Sequence, residues 1–386
     1  MKRIKNLFVG FTDSEKAGGL VLIVCTIISL VISNSTAGAE YTHFWHKQLG
    51  GSSLEHWVND GLMAIFFLLI GLELEREVYQ GELSNFKDAL LPMFGALGGI
   101  VLPACIYLLF TYGSSAQRGA GIPMATDIAF ALGVLSLLGN RVPVSLKIFL
   151  TALAVIDDLC AILIIAIFYT KAILWMQLFI SIGIFFVLLG LNKFKIRNLI
   201  PYLIGGVAMW YFMLQSGVHA TIAGVLLALA IPFGNGDEKS TSYIVQHFLH
   251  KPVAFIVLPI FALANTAIVF SSSIKETVSH PYSLGIMLGL LVGKPLGIFL
   301  FTYVAVSVKL CKLPADLNWN SIAGVGILAG IGFTMSIFIT LLAFDDATII
   351  NHAKIAILLS SFMAGLIGFL SLKYIFRHVT TINAKA

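Results

Sequence analysis

The sequence predicts an all-α, polytopic membrane protein, and three observations indicate this fold class. Hydrophobic residues make up 58% of the 386 positions, and charged residues only 11%. Apolar runs of about the length needed to cross roughly 30 Å of hydrocarbon recur along the whole chain. The polar segments between these runs are short, which leaves no room for a separate water-soluble domain. We therefore expect residues 1–386 to form a single integral membrane domain.

Twelve apolar runs are interpreted as transmembrane helices. The second run is short, and we expect its helix to continue past the charged end of the run. The runs are residues 17–33, 59–72, 89–110, 119–138, 148–169, 172–191, 198–215, 217–233, 252–270, 282–308, 321–344 and 354–373.

Lysine and arginine are divided unevenly between the two sides of this arrangement. Twelve spans place both termini on one side, which then holds 18 of the 24 basic residues, while the other side holds five and Lys294 lies inside a span. Cytoplasmic loops carry an excess of basic residues, so we expect both termini to be cytoplasmic. The formal net charge of +5 then reflects orientation in the lipid bilayer and does not indicate a nucleic-acid partner.

Four ionisable residues lie well inside the predicted spans: Asp127, Asp157, Asp158 and Lys294. A charge at the centre of a bilayer costs about 2.5–3.5 kcal/mol on insertion scales, so each of these residues needs an explanation. Each one lies within about one helical turn of the midpoint of its span. Charges at the same depth on different helices can meet inside a bundle, and we expect these four residues to do so.

Asp157 and Asp158 are adjacent, so on a helix their side chains point about 100° apart and cannot share one partner in the same way. Lys294 is the natural ion-pair partner for one of them. The second aspartate is not needed for an ion pair, and its presence therefore indicates a functional role. Neighbouring carboxylates titrate as a coupled unit and can bind either protons or a small hard cation, which prefers oxygen ligands. Competition for the same carboxylates is a sufficient mechanism for antiport.

Two of the predicted spans contain residues that interrupt helices. Span four has Pro123 and several glycines around Thr126 and Asp127, and span eleven has four glycines within residues 324–332. Spans three to five and ten to twelve start on opposite sides, and each triplet has its interrupted helix in the middle. This pattern is typical of an inverted-repeat transporter with a site near the membrane midplane. No phosphate-binding loop of an ATP-driven pump is present in the sequence.

At six places, in chain order, the sequence resembles the NhaA-type sodium/proton antiporters, and this resemblance covers nearly the whole chain. The matching stretches are ATDIAFALGVL (125–135), RVPVSLKIFL (141–150), AVIDDL (154–159), SGVHAT (216–221), GKPLGI (293–298) and GIGFTMSIFI (330–339).

The resemblance implies roles for the buried charges. Asp158 and Asp157 would form the site for Na+ and protons, and Lys294 would form a salt bridge with Asp157 when sodium is absent. Thr126 and Asp127 would lie where the unwound chains cross. The family exchanges external protons for internal Na+ or Li+, and two protons per sodium would make the exchange electrogenic. The second proton could be carried by Asp157 or by Lys294, and the sequence leaves this open.

The family is also known for a cytoplasmic region that responds to pH. Glu73, Arg76 and Glu77 at the cytoplasmic end of span two match this region, as do His247 and His250 before span nine. Histidine titrates near neutral pH, which suits a pH sensor. A solvated, charged helix end is the alternative interpretation of these five residues.

Several positions differ from the family pattern or suggest a structural role. Gln246 and Tyr243 occupy positions where the family pattern predicts a glutamate and a lysine. The segment 38–57 is shorter than the family's dimerising hairpin, and a homodimer is the protein partner that the resemblance allows. We expect His219 to be a packing histidine and Asp60 to cap span two, with roles in the ion pathway as the alternatives.

Three other classes of membrane protein are alternatives to an antiporter. A sodium-coupled solute symporter also uses interrupted helices and remains the alternative function. An intramembrane protease needs aspartates on two facing helices, and its Gly-x-Gly-Asp signature occurs here only in a polar loop, at residues 234–237. A channel is disfavoured because fixed buried carboxylates hold ions too tightly for fast conduction. We therefore expect a transporter that is not an enzyme and that needs no cofactor.

Overall fold

The structure, a computed structural model, describes residues 2–169, 173–270 and 274–377. The start of the sixth predicted run, residue 172, lies outside these ranges. The described chain is almost entirely helical. Its α-helices are α1 (Lys2–Ser33), α2 (Gly38–His46), α3 (Leu54–Trp57), α4 (Met63–Tyr79), α5 (Phe86–Thr111), α6 (Ile128–Ser136), α7 (Val144–Phe168), α8 (Trp175–Lys193), α9 (Leu199–Gln215), α10 (Ile222–Ala230), α11 (Thr241–Pro252), α12 (Leu258–Asn265), α13 (Ile274–Ser279), α14 (Pro281–Leu288), α15 (Lys294–Ser307), α16 (Trp319–Ala329), α17 (Phe333–Ala343) and α18 (Ala347–Ile375).

Other secondary structure is short in the described part of the chain. Two strands of two residues each, β1 (Gln48–Leu49) and β2 (Ser52–Ser53), pair antiparallel. Three π-helical turns join α3 to α4, α11 to α12 and α14 to α15: Val58–Leu62, Val253–Val257 and Gly289–Gly293. Three 3-10 segments complete the described elements: Glu82–Ser84, Ser115–Met124 and Gly139–Arg141.

Eight helical segments of the described chain are long and apolar enough to cross a membrane, and two bent pairs raise this number to ten. The bent pairs are Ala17–Ser33 with α2, at 114°, and α16 with α17, at 46°. Helices α9 and α10, which correspond to the seventh and eighth predicted runs, contain only 17 and 9 residues. The protein is thus an all-α, multi-pass membrane protein as predicted, and the count of twelve spans stays a prediction.

Both predicted interruptions are confirmed. In span four, the 3-10 segment Ser115–Met124 and α6 are separated by residues 125–127, which have no helical structure. In span eleven, residues 330–332 separate α16 from α17. The predicted extension of span two is also present, because a continuous helical segment runs through Leu54–Tyr79. The opposite orientation of the two triplets in the membrane stays a prediction.

The chain forms two compact units. One unit contains Cys25–Ser84 and Ile162–Ala267. Within it, α4 packs against α10 and α11, and α8 packs against α9. Its buried core is apolar, with the larger members Leu68, Leu72, Leu188, Tyr202, Met209, Met213, Leu227, Ile231 and Val245.

The other unit contains the chain up to Val24, Asn85–Ala161 and the chain from Ile268 onward. Its helices α14 and α15 pack along α5, α16 packs on α15 and α18, and α17 packs on α18. The α5–α15 contact brings two backbones together at Gly98 and Gly297. A Cβ atom at either position would overlap the backbone of the other glycine, so only glycine allows this approach.

The long helix α18 begins with a side-chain cap. The Asp346 carboxylate accepts hydrogen bonds from the backbone N–H groups of Ile349 and Thr348. These bonds hold the pKa of the exposed Asp346 carboxyl below its usual value. The cap therefore stabilises the start of α18 at neutral pH, and this contribution is lost as the pH falls through the lowered pKa.

Candidate ion-binding site at the helix interruptions

The two interrupted segments contact each other directly inside the same compact unit. The backbone N–H of Asp127 donates a hydrogen bond to the carbonyl oxygen of Ile331 at 2.6 Å. The Thr126 hydroxyl donates to the carbonyl oxygen of Ala329 at 3.0 Å, and the Ser336 hydroxyl donates to that of Ile122 at 2.7 Å. Backbone groups that the interruptions remove from helical bonding are therefore satisfied across the crossing.

Asp127 binds the N-terminal ends of two helices. Its carboxylate caps α6 by accepting a hydrogen bond from the backbone N–H of Phe130 at 2.9 Å. It also accepts bonds from the backbone N–H of Thr334, at 3.0 Å, and from the Thr334 hydroxyl, in the first turn of α17. Helix N-termini carry a partial positive charge. A single buried carboxylate, 1% exposed, thus neutralises the positive ends of both half-helices.

The side chain of Lys294 contacts the opposite kind of helix end, a C-terminal end with exposed carbonyl oxygens. Lys294 is the first residue of α15, directly after the π-helical turn Gly289–Gly293, and its side chain is fully buried. Its ammonium group donates a hydrogen bond to the carbonyl oxygen of Met124, the last residue of the 3-10 segment. Carbonyl ends of helical segments carry a partial negative charge, which the Lys294 cation offsets.

Asp157 is the anionic partner of Lys294. The distance between Lys294 Nζ and Asp157 Oδ2 is 2.6 Å, and both side chains are inaccessible to solvent. The Thr126 hydroxyl donates to the same oxygen at 2.8 Å. The second oxygen, Asp157 Oδ1, is buried and accepts no hydrogen bond from the described residues. Asp157 Oδ2 is therefore paired, while Oδ1 can still accept a hydrogen bond or bind a cation.

Asp158 follows at the next position of α7 and is 0% exposed. Its side chain leaves the helix about 100° from that of Asp157, so the two carboxylates lie at one depth on different faces. The structure therefore brings Thr126, Asp127, Asp157 and Lys294 together at the helix crossing, with Asp158 at the position next to Asp157 on α7. Carboxylate, hydroxyl and backbone oxygens at one buried place can bind a small hard cation or protons.

The five residues of the predicted pH-responsive region lie in the other compact unit, near the end of α4 and in α11. The charge of Arg76 acts on both Glu73 and His250, so the structure brings the two parts of this region together. His247 is exposed and stacks on Tyr243, with ring centroids 6.0 Å apart.

The prediction that Asp60 caps span two is wrong. Ser53 is the side-chain cap, because the helical segment begins at Leu54, six residues before Asp60, and Ser53 accepts a hydrogen bond from the backbone N–H of His56. Asp60 instead lies inside the π-helical turn and pairs with the imidazole of His56 at 3.1 Å, one turn away.

His219 contacts the carbonyl oxygen of Tyr169 at 3.1 Å through its Nε2 atom.

Three polar residues that the sequence analysis did not single out have notable positions. The Ser361 hydroxyl of α18 accepts a hydrogen bond from the backbone N–H of Phe333, at the start of α17, and Thr334 binds Asp127. Glu75 of α4 is buried, and its Oε2 atom has no hydrogen-bond partner among the described residues. The sequence signal for Thr334 is its place in the glycine-rich stretch of span eleven, whereas Ser361 and Glu75 carry no comparable signal.

Two interrupted helices that cross beside a buried ion pair and a second buried carboxylate define a class of protein, the secondary transporters with interrupted helices. Comparisons with known proteins identify the family. The sequence profile of the family described as "Na+/H+ antiporter 1" matches residues 10–372.

Several relatives match over nearly their whole length. The "Na(+)/H(+) antiporter NhaA" of Flavobacterium psychrophilum is 69% identical over 381 residues, which cover 99% of each chain. The "Na(+)/H(+) antiporter NhaA 1" of Flavobacterium johnsoniae is 60% identical, over 97% of this chain and 98% of its own. The "Na(+)/H(+) antiporter NhaA" of Dechloromonas aromatica is 59% identical, over 96% and 97%. The chain belongs to this family of sodium/proton antiporters.

Proposed function

We propose that this protein exchanges Na+ or Li+ for protons at a single site formed by Asp157 and Asp158. The observation that carries this proposal is the buried Asp157–Lys294 pair at the helix crossing, with a second buried aspartate at the next position. An ion pair alone would need one aspartate. The second carboxylate, and the Asp157 oxygen that accepts no bond from the described residues, supply acceptors beyond those that the pair uses.

The proposed exchange uses these oxygens alternately. With protons bound, Asp158 carries one proton, and either Asp157 or Lys294 carries the second. When the protons leave, Na+ takes the carboxylate oxygens together with the Thr126 hydroxyl, which already bonds Asp157. No cluster of three or more His, Cys, Asp or Glu side chains that could hold a metal ion occurs in the described ranges, so hydroxyl and backbone oxygens must complete the ion's coordination. Asp127 keeps the half-helix ends neutral throughout.

Each cycle moves net charge if two protons are exchanged for one Na+. Either Asp157 or Lys294 carries the second proton in this scheme. The exchange is then electrogenic, and the membrane potential contributes to driving Na+ out of the cell. This activity would serve sodium and pH homeostasis. Arg76, Glu73 and His250, which interact at the end of α4, would make the exchange rate depend on cytoplasmic pH.

The distribution of basic residues supports an orientation with both termini in the cytoplasm, in a bacterial inner membrane. The unit that contains Asp157 holds the interrupted helices and would be the core bundle of spans three to five and ten to twelve. The remaining spans would form a scaffold within one transporter domain. A homodimer through residues 38–57 is compatible with this arrangement, and the paired strands β1 and β2 lie in that segment.

Reconstituted liposomes test the proposed exchange. A sodium gradient across liposomes that contain the purified protein should drive protons in the opposite direction with no added solute, as followed with an enclosed pH-sensitive dye. An imposed membrane potential should change the rate, because the exchange is electrogenic. Sodium uptake that requires an organic solute would instead establish a symporter, and a rate indifferent to the potential would contradict electrogenicity.

A further inference from the structure

Helix α7 carries one more polar side chain inside the predicted membrane span, Thr151, which the site described above does not use. Its side chain is half-buried as a whole, but its hydroxyl oxygen is buried and has no hydrogen-bond partner among the described residues. The hydroxyl therefore points into the protein. A buried polar atom without a protein partner calls for an explanation, such as a bound ion or water.

Four other hydroxyls in helices of this unit behave differently. Each of the four donates to the backbone carbonyl four residues earlier, which is the usual solution inside an apolar helix. The donors are Thr111, Thr302, Thr340 and Ser360. For Thr151, the carbonyl four residues earlier in α7 is that of Lys147. The Thr151 hydroxyl does not use it, so its direction is not explained by local helix chemistry.

The position of Thr151 relates it to Asp158 and not to Asp157. Seven residues correspond to almost two full helical turns, so Thr151 and Asp158 lie on the same face of α7, about 20° apart around the axis and about 10.5 Å apart along it. Ala154 and Val155 lie between them on that face and carry no polar side-chain atom. Thr151 is on the side of Asp158 where α7 begins, which the proposed orientation places toward the cytoplasm.

We propose that Thr151 is a further cation-binding residue, whose hydroxyl takes Na+ or its hydrating water on the cytoplasmic side of Asp158. This inference rests on the proposed function. A neutral hydroxyl suits such a position because hard cations prefer oxygen ligands, and an uncharged ligand holds an ion weakly enough to let it move on. Cytoplasmic sodium would then pass from Thr151 to the carboxylates.

Matched substitutions test this role. Thr151→Val removes the hydroxyl with little change in shape, Thr151→Ser keeps it, and Thr302→Val removes a hydroxyl that bonds its own helix. Sodium-dependent proton movement is measured in everted vesicles, where Na+ reaches the cytoplasmic side, and in right-side-out vesicles. We expect Thr151→Val to raise the cytoplasmic-side KM for Na+ by about 3- to 10-fold, because the loss of one hydrogen bond or one neutral ligand changes affinity by about this factor. Its kcat, and the KM on the other side, should change less than twofold.

Thr151→Ser and Thr302→Val should keep the wild-type KM. The inference is overturned if Thr151→Val keeps the wild-type KM, if its KM rises equally on both sides, or if Thr151→Ser shifts as much as Thr151→Val. Thr151→Ala is judged by the same criteria if Thr151→Val does not accumulate in the membrane. A wild-type protein that exchanges no sodium overturns the proposed function and this inference with it. An active wild type with an unaffected Thr151→Val overturns this inference alone.

Discussion

Replacing Asp158 with asparagine should abolish sodium-driven proton movement. The asparagine side chain has nearly the same size, but it carries no negative charge for Na+ and no site for a transported proton. Loss of a charged ligand alone costs about 1.5–3 kcal/mol, or roughly 10- to 150-fold in affinity. Because proton carriage is lost as well, we expect at least a 100-fold lower exchange rate in reconstituted liposomes.

The matched control is Asp237→Asn, which changes an exposed aspartate in the loop between α10 and α11. This variant should exchange at the wild-type rate, since surface substitutions rarely disturb a buried site. Purified Asp158→Asn must also keep the wild-type unfolding temperature for the comparison to report on the site. Exchange that survives in a folded Asp158→Asn would refute the assignment of this residue.

Lys294→Gln should destabilise the protein more than any surface lysine substitution. The change leaves the Asp157 carboxylate buried beside a neutral side chain, and removal of one partner of a buried pair typically costs about 3–5 kcal/mol. Thermal unfolding of the purified protein measures this cost. Lys373→Gln, at an exposed position of α18 in the same unit, is the control and should stay within about 0.5 kcal/mol of the wild type.

The double variant Asp157→Asn with Lys294→Gln separates charge from packing. It removes both charges and leaves two neutral, polar side chains of similar shape, so much of the lost stability should return. The account would be contradicted if Lys294→Gln and Lys373→Gln lowered the free energy of unfolding equally, or if the losses of the two single variants simply added in the double variant. Either result would show that the 2.6 Å contact between Lys294 and Asp157 contributes no coupling energy.

Sequence patterns predicted much of the fold because membrane helices must be long and apolar. Pro123 and the glycines of residues 324–332 indicated the two interruptions, which the structure contains at residues 125–127 and 330–332. The number of spans could not be settled in this way. Helix α10 has only nine residues, and hydropathy cannot distinguish a short helix with flanking turns from a full span.

The charged part of the site was predictable for a similar physical reason. Charges inside a bilayer are costly and rare, so Asp127, Asp157, Asp158 and Lys294 were conspicuous in apolar runs. The contact of the Thr334 hydroxyl with Asp127 was not predictable, since uncharged hydroxyls are common in membrane helices and their partners depend on tertiary packing.

Two further features depend on local geometry that composition does not encode. The π-helical turn Gly289–Gly293 adds an extra residue to its turn just before Lys294 and so changes the direction of the side chains after it. The wrong role for Asp60 followed from a boundary error, because residues 54–58, which include Glu55 and His56, precede the apolar run but already belong to the helical segment.

The central claim is that Na+ and protons compete for the same carboxylate oxygens. Calorimetric titration of the purified protein with Na+, repeated in buffers of different ionisation enthalpy, counts the protons released for each ion bound. We predict that Na+ binding near neutral pH releases about one or two protons, that its affinity falls as the pH is lowered, and that Asp158→Asn abolishes both effects. Sodium binding of constant affinity across this pH range, with no proton release, would contradict the account.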